Sequence, residues 1–263
     1  FVRKIIKEND IYKIYCELND HKIIIKTKKL VLATGTISTT KLVSEMTNYS
    51  KEINLDHNPM LFGVFLGKRN IESDIFLPSD LAAELNLNKN NLTALANFRP
   101  SNEIIKKKIF ENYFFMKNIL SKKIYKLFDK KMIFLNLYLD SEYSCLKLVK
   151  SENNQINIKL KSESVATSSK ELNKYFNSIY ENLRSNNLIY PFKYSYIPYM
   201  GNDNHYTGTI PINGLDELSV DENCELKNYT GLHIVDGSVI PKNNLKFPTG
   251  LIMANASRIG KIL

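Results

Sequence analysis

The chain predicts an α+β fold: a layered βα part contributed by both chain ends, and an antiparallel sheet with helices between them. Three observations predict it. The run KLVLATG (29–35) is short, apolar and closed by glycine, as an inner strand buried on both faces of a layered sheet would be. The segments KMIFLNLYLD, EYSCLKLVKS and NQINIKLKSES alternate apolar with polar residues and are separated by short polar turns, the pattern of one antiparallel sheet. Residues 102–130 and 168–184 instead repeat apolar side chains at helical spacing.

In chain order, residues 1–33 read as strands, because IYKIYCEL and HKIIIKTK both alternate before KLVLATG. Thr36 to Glu45 follows Gly35 with a Ser/Thr-rich start and helix-compatible residues, giving strand–Gly–helix. LDHNPMLFGVFLG reads as a loop and then a strand, and residues 71–101 as polar and irregular. In the 102–130 helix the apolar stripe is Ile105, Ile109, Tyr113, Met116, Leu120, Ile124 and Phe128, with lysines between. In the later helix it is Leu172, Tyr175, Phe176, Ile179, Tyr180 and Leu183. A last helix opens at Pro248, with Ile252, Ala256, Ile259 and Leu263 as its inner stripe. The expected domains are residues 1–50 with 198–263, and residues 51–197.

Composition narrows the function classes. At 263 residues and 43% hydrophobic, the chain can bury one large core or two modest ones. The charge of +9 comes mostly from lysine, with five arginines (Arg3, Arg69, Arg99, Arg184, Arg258) spread along the chain. Nucleic-acid readers cluster arginine among aromatics on one face, so no nucleic-acid partner is expected. Cys16, Cys145 and Cys224 are odd in number and lack Cys-x-x-Cys spacing, which points to a reducing, cytoplasmic compartment and no zinc site. No apolar run is long enough to span a bilayer. The basic stretch from Lys106 to Lys131 reads either as a solvated face or as a peripheral membrane or quinone contact.

The last sixty residues hold the most specific pattern. HYTGT (His205–Thr209) is followed by GLHIVDGSVIP, with Asp236, Gly237, Ser238 and Pro241, and then by FPTGLIMANASRIGKIL. This set resembles the C-terminal signature of the glucose–methanol–choline (GMC) flavoprotein oxidoreductases. KKLVLATGTISTTKLV and LDHNP resemble earlier segments of that family, in the same order, and NQINIKLKSES with the following helix resembles its approach to the catalytic motif. Residues 70–130 match only in general character. The family's dinucleotide fingerprint is absent, because no two of the ten glycines stand as G-x-G. The expectation is therefore the C-terminal part of a larger flavoenzyme, by truncation, gene splitting or partial sequencing, with a missing N-terminal half supplying that motif.

The resemblance implies roles residue by residue. His205 would be the base that takes the hydroxyl proton of an alcohol or sugar while a hydride passes to FAD, a task suited to a group that titrates near neutrality. Its plain alternative is a loop histidine bonded to backbone. Thr34 and Gly35, with Asp236 and Gly237, would line the cofactor where backbone approaches closely; the alternative is an ordinary Asp-Gly turn. Pro248 and Thr249 would aim the positive end of the last helix at the flavin. Directly before them the family has Asn or His where this chain has Phe247, which can neither donate nor accept a hydrogen bond. Asn243 and Asn244 are the nearest candidates to replace it, with Phe247 and Asn244 on the substrate side. His57 and His233 read as structural and His21 as a turn residue, and no pair has metal-ligand spacing. Two functions stay open: an FAD-dependent oxidoreductase acting on CH–OH groups, and a non-catalytic GMC-like fragment that does not hold FAD by itself.

Overall fold

The computed structural model describes residues 1–71, 81–85, 94–102, 107, 119–151, 155–202, 204–242, 245 and 248–263. They form two compact units, Phe1–Asn58 with Ser141–Val165 and Asp203–Leu263, and Pro59–Asp140 with Ala166–Asn202. The mixture of helices and mainly antiparallel sheets makes the fold α+β.

The first unit opens with an antiparallel meander of β1 (Val2–Glu8), β2 (Ile11–Leu18) and β3 (His21–Thr27). Its tight connections carry Asn9, Asn19 and Asp20 at positive φ, a conformation that Asn and Asp tolerate best after glycine. Next, β4 (Leu30–Leu32) leads through Gly35 into α1 (Thr36–Thr47). β4 pairs in parallel with β13 (Leu232–Ile234), Leu30 opposite Leu232, so the two chain ends share one small sheet. A second antiparallel sheet sets β10 (Leu146–Lys150) between β5 (Ile53–Leu55) and β11 (Ile156–Leu160). α4 (Thr249–Gly260) closes the unit.

The second unit is built on a five-stranded antiparallel sheet in the order β12 (Ile189–Tyr196), β6 (Met60–Gly67), β9 (Met132–Leu139), β8 (Ala94–Pro100), β7 (Leu81–Leu85). α2 (Ile119–Phe128) leads into β9, and most of α3 (Ser162–Ser185) belongs to this unit. Leu172, Tyr175, Phe176, Ile179 and Tyr180 are buried on α3, the stripe its periodicity predicts. Phe65 of β6 stacks on Phe176 at 5.2 Å between ring centroids. Gly63, two residues earlier on the same face, leaves room for that ring, since a Cβ there would stand 2.6 Å from Phe176 Cε2.

Several expectations change. KLVLATG is not buried on both faces, because Val31 is 46% exposed while Leu32 is buried. The three alternating segments do not share a sheet: β9 joins the five-stranded sheet, whereas the β10–β11 hairpin adds to β5. For that reason residues 51–58 and 141–165 group with the chain ends instead of with the middle of the chain. Within 71–101, read as irregular, β8 pairs along its length with β9, from Ala94 opposite Leu139 to Pro100 opposite Ile133. Sheet pairing there overrides the weak strand propensity of Ala, Asn and Pro. Leu263 is 42% exposed, and Asn255 with Ile259 forms the buried side of α4. His21 begins β3. The 102–130 stripe lies outside the described residues except for Lys107 and the segment from Ile119 onward. No described helix is long and apolar enough to cross a membrane.

The end of α1 carries a pH-dependent tie. Asn48 takes the left-handed C-cap conformation, and the Tyr49 hydroxyl then donates to Asp216 Oδ2 at 2.7 Å. Burial, and next this bond, push the Tyr49 hydroxyl above its ordinary range, and the same bond holds the Asp216 carboxyl below the usual carboxylate range. A depressed carboxylate adds stability above its unfolded pKa of about 3.9 and loses it as pH falls through the folded value. Asp216 is 46% exposed, so solvent screening holds the effect to about 0.5–1 kcal/mol. Tyr49→Phe is expected to lower stability by that amount at pH about 7 and by almost nothing at pH about 2, which urea unfolding at both values checks.

Candidate active site

The motif residues of the first unit meet around the start of α1. Thr36, Thr40 and Ser44 step at i+4 along one buried helix face, with Thr39 beside them. The three threonine hydroxyls reach across to the other motifs, while the buried Ser44 hydroxyl has no hydrogen-bond partner among the described residues. Thr36 Oγ1 donates to the carbonyl of Tyr206 at 2.7 Å. Thr40 Oγ1 stands 2.6 Å from Thr209 Oγ1. Thr39 Oγ1 lies 2.8 Å from Thr34 Oγ1 and donates to Asp236.

Asp236 is the hub. It is 6% exposed, and its Oδ2 accepts the Gly35 N–H at 3.0 Å as well as the Thr39 hydroxyl. Its Oδ1 accepts the Ser238 N–H at 3.0 Å and the Ser238 hydroxyl, capping the turn Gly237–Val239. A buried carboxylate needs this many donors, and here all four come from the chain itself. The Asp236 side chain therefore holds the start of α1 against the 236–239 turn.

The His205–Thr209 strip is laid along that turn. Gly208 N–H donates to the Gly237 carbonyl at 3.2 Å and Ile210 N–H to the Ser238 carbonyl at 2.8 Å. On its other side Thr207 exchanges backbone bonds with Asp56 at 3.0 and 3.1 Å. Gly208 has φ +77°, and a Cβ there would stand 2.8 Å from Asp56 Oδ2, so both conformation and space select glycine. His205 and Tyr206, half-buried, enter this strip. Thr207 is fully buried, and its Oγ1 has no hydrogen-bond partner among the described residues.

Gly237 is where the segments converge. A Cβ on it would stand 2.6 Å from Thr36 Oγ1, 2.7 Å from the Tyr206 carbonyl and 3.4 Å from Ile252 Cδ1. The start of α1, the histidine motif and the first turn of α4 thus all touch one residue. α4 is anchored from its far end: Asn255 Nδ2 donates to Cys224 Sγ at 3.3 Å, and Arg258 donates to Asn255 Oδ1 at 2.9 Å and to the Glu222 carbonyl at 2.7 Å. Burial pushes the Cys224 thiol up, which disfavours its thiolate form.

The electrostatics favour an anion. Neither α1 nor α4 has a capping side chain at its N-cap residue or an acidic residue in its first turn, so first-turn N–H groups stand at the positive end of each dipole, apart from the Gly35 N–H that Asp236 accepts. Thr34, Gly35 and Ser38 are exposed at α1, as are Thr249 and Gly250 at α4. A cleft of about 460 Å³ beside the α1 start is lined by the apolar Phe1, Val2 and Leu42 together with Arg3, Thr34, Ser38 and Lys41, within the usual size for small-molecule sites. Two open helix ends, a basic cleft and an orphaned buried hydroxyl at Thr207 fit the phosphate-rich, anionic cofactor that the motifs imply.

Of the residues singled out in the sequence, Thr34, Gly35, His205, Asp236, Gly237, Pro248 and Thr249 lie on these converging segments. Asn244 and Phe247 lie outside the described residues. His57 is fully buried, where its Nε2 accepts the Cys145 N–H at 3.2 Å and pins the 56–59 loop to the turn before β10. His233 sets Nδ1 3.0 Å from the Asn223 carbonyl. The Thr36–Thr39–Thr40 hydroxyls went unremarked in the sequence, although the spacing of TGTISTT carries them. Among the described residues no group of three or more His, Cys, Asp or Glu could hold a metal ion.

No family profile matches the sequence, and no curated protein matches it. The fold is similar to that of the solved structure of pyridoxine 4-oxidase from Mesorbium loti, with a TM-score of 0.60 at 11% sequence identity. The similarity covers 99% of this chain and 56% of that one, so this chain spans little more than half the length of that structure.

Proposed function

We propose that this chain carries the catalytic part of a GMC-type, FAD-dependent oxidoreductase acting on a CH–OH group, a sugar or other alcohol, with His205 as the base. The convergence on Gly237 supports this reading: four segments far apart in sequence, each with a motif residue, meet at one position. FAD, when bound, supplies the hydride acceptor. The start of α1, beside Thr34 and Gly35, and the start of α4, beside Pro248 and Thr249, would hold negative charge on the cofactor through the N–H groups of their first turns, the Thr34 and Gly35 N–H groups themselves being taken by Thr39 and Asp236. Asp236 and Gly237 set those two helix ends in place. His205 would take the substrate hydroxyl proton, a role that suits an imidazole on a half-exposed strip held from both sides by backbone bonds. The unit made from the chain ends would serve the cofactor, and the five-stranded sheet unit the substrate.

His205→Ala in the native gene product tests this. The expected result is retained flavin with at least a thousandfold slower anaerobic flavin bleaching by substrate. A native protein free of flavin, or a variant reduced at the native rate, overturns the assignment.

A second reading rests on Asp236. Because every carboxylate bond found there is made within the chain, the motif can persist as packing in a GMC-like scaffold that turns nothing over. The flavin content of the native protein separates the two.

A further inference from the structure

One end of the five-stranded sheet collects exposed apolar side chains among cations. β6 ends there at Gly67, β9 begins at Met132 and β12 begins at Ile189, with Gly67 opposite Ile189 and Leu66 opposite Met132. The connections touch one another: Lys68 N–H donates to the Leu188 carbonyl at 3.0 Å and Ile71 N–H to the Lys130 carbonyl at 2.7 Å. The end of α2 presents Leu127 (75% exposed) and Phe128 (44%), the turn before β12 presents Leu188 (55%), and the first half of β12 presents Tyr190 (39%) and Phe192 (49%). Lys68, Arg69, Lys126 and Lys130 are exposed around them, and Lys131 Nζ stands 5.7 Å over the Tyr190 ring. Among the described residues of this end Asp129 is acidic, and its carboxylate also accepts the Lys130 N–H at 2.7 Å.

We propose that this end of the second unit rests on an anionic phospholipid surface. Aliphatic and aromatic side chains at element ends, ringed by lysines whose stems cover apolar surface while their heads reach outward, suit the boundary between headgroups and acyl chains. The charge complements an acidic leaflet, and the two most exposed apolar side chains of this end, Leu127 and Leu188, are aliphatic and suit acyl chains better than bases. The proposal stands independently of the chemistry at His205.

The chain contains no tryptophan, so Phe128→Trp places a single reporter in the patch and Leu215→Trp, fully exposed in the first unit, serves as control. Phosphatidylcholine vesicles with and without phosphatidylglycerol are added at low salt. The expected result is a blue shift of Phe128→Trp on the anionic vesicles only, with Leu215→Trp unchanged. Lys126→Gln with Lys130→Gln should weaken co-sedimentation roughly 25-fold, about fivefold per lysine. Leu127→Ser with Phe128→Ser, at exposed sites that leave the circular dichroism spectrum unchanged, should weaken it at least tenfold. Absence of a shift, equal shifts at both reporters, or full binding by the serine variant overturns the proposal, as does a shift elicited by a soluble protein but not by vesicles.

Discussion

Asp236→Asn is expected to lower the unfolding free energy by about 2–3 kcal/mol, because one carboxylate serves four donors, two of them backbone N–H groups that cannot reverse, and an amide NH₂ has to face one of those two. The amide has to turn its NH₂ either toward Gly35 N–H and the Thr39 hydroxyl or toward Ser238. Either way donor faces donor at a site only 6% exposed, and each buried donor left unmatched costs about 1–3 kcal/mol. Asp221 provides the comparison: its carboxylate also accepts two backbone N–H groups, from Asn223 and Glu225, but in an exposed turn where water replaces what is lost. Asp221→Asn should cost under about 1 kcal/mol. Urea unfolding of both variants measures the difference, and hydrogen exchange at the first turn of α1 should rise in Asp236→Asn alone. A loss below about 0.5 kcal/mol for Asp236→Asn would mean that the carboxylate is not the hub described, and the α1 start would need another support.

Local patterns were legible in the sequence, and pairings were not. The 3.6-residue stripe on α3 and the burial of Tyr12 and Ile14 in β2 follow from the residues themselves, because the buried face is written into the spacing, whereas β3 alternates in sequence yet is exposed along almost all its length. Whether β10 pairs with β9 or with β5 depends on where distant chain lies, and nothing in EYSCLKLVKS specifies the partner. β8 shows the same limit more strongly: Ala94, Ala96 and Asn97 have poor strand propensity, yet they are buried in the sheet. The motifs singled out Thr34, Gly35, His205, Asp236 and Gly237, which the fold sets on converging segments, but they could not reveal that the Asp236 carboxylate is occupied within the chain. The threonine hydroxyls escaped for a related reason: a threonine on a helix can bond its own backbone, as Thr47 does to the Val43 carbonyl at 2.9 Å, or cross to another segment, as Thr36 does.

Gly237→Ala should be as costly, and it probes the convergence itself. The added methyl would stand 2.6 Å from Thr36 Oγ1 and 2.7 Å from the Tyr206 carbonyl, the two ends of a single hydrogen bond. Neither end can yield easily. Thr36 begins α1, and the Tyr206 carbonyl adjoins Thr207, whose backbone is tied to Asp56 on both sides. Overpacking of this kind costs about 1–3 kcal/mol and the displaced hydrogen bond about 1 more. A loss of roughly 3 kcal/mol is therefore expected, with His205 shifted along with its strip. Gly250→Ala is the matched control, since a Cβ there meets nothing within 4 Å and the position is helical; it should leave stability unchanged or raise it by up to about 1 kcal/mol. Combining Gly237→Ala with Thr36→Ala removes the nearer obstruction, and the pair should couple by at least about 1 kcal/mol in a double-mutant cycle. If Gly237→Ala unfolds at the same urea concentration as the native chain, the start of α1, the Tyr206 carbonyl and Ile252 do not crowd that position. The case for His205 would then lose the geometry on which it stands.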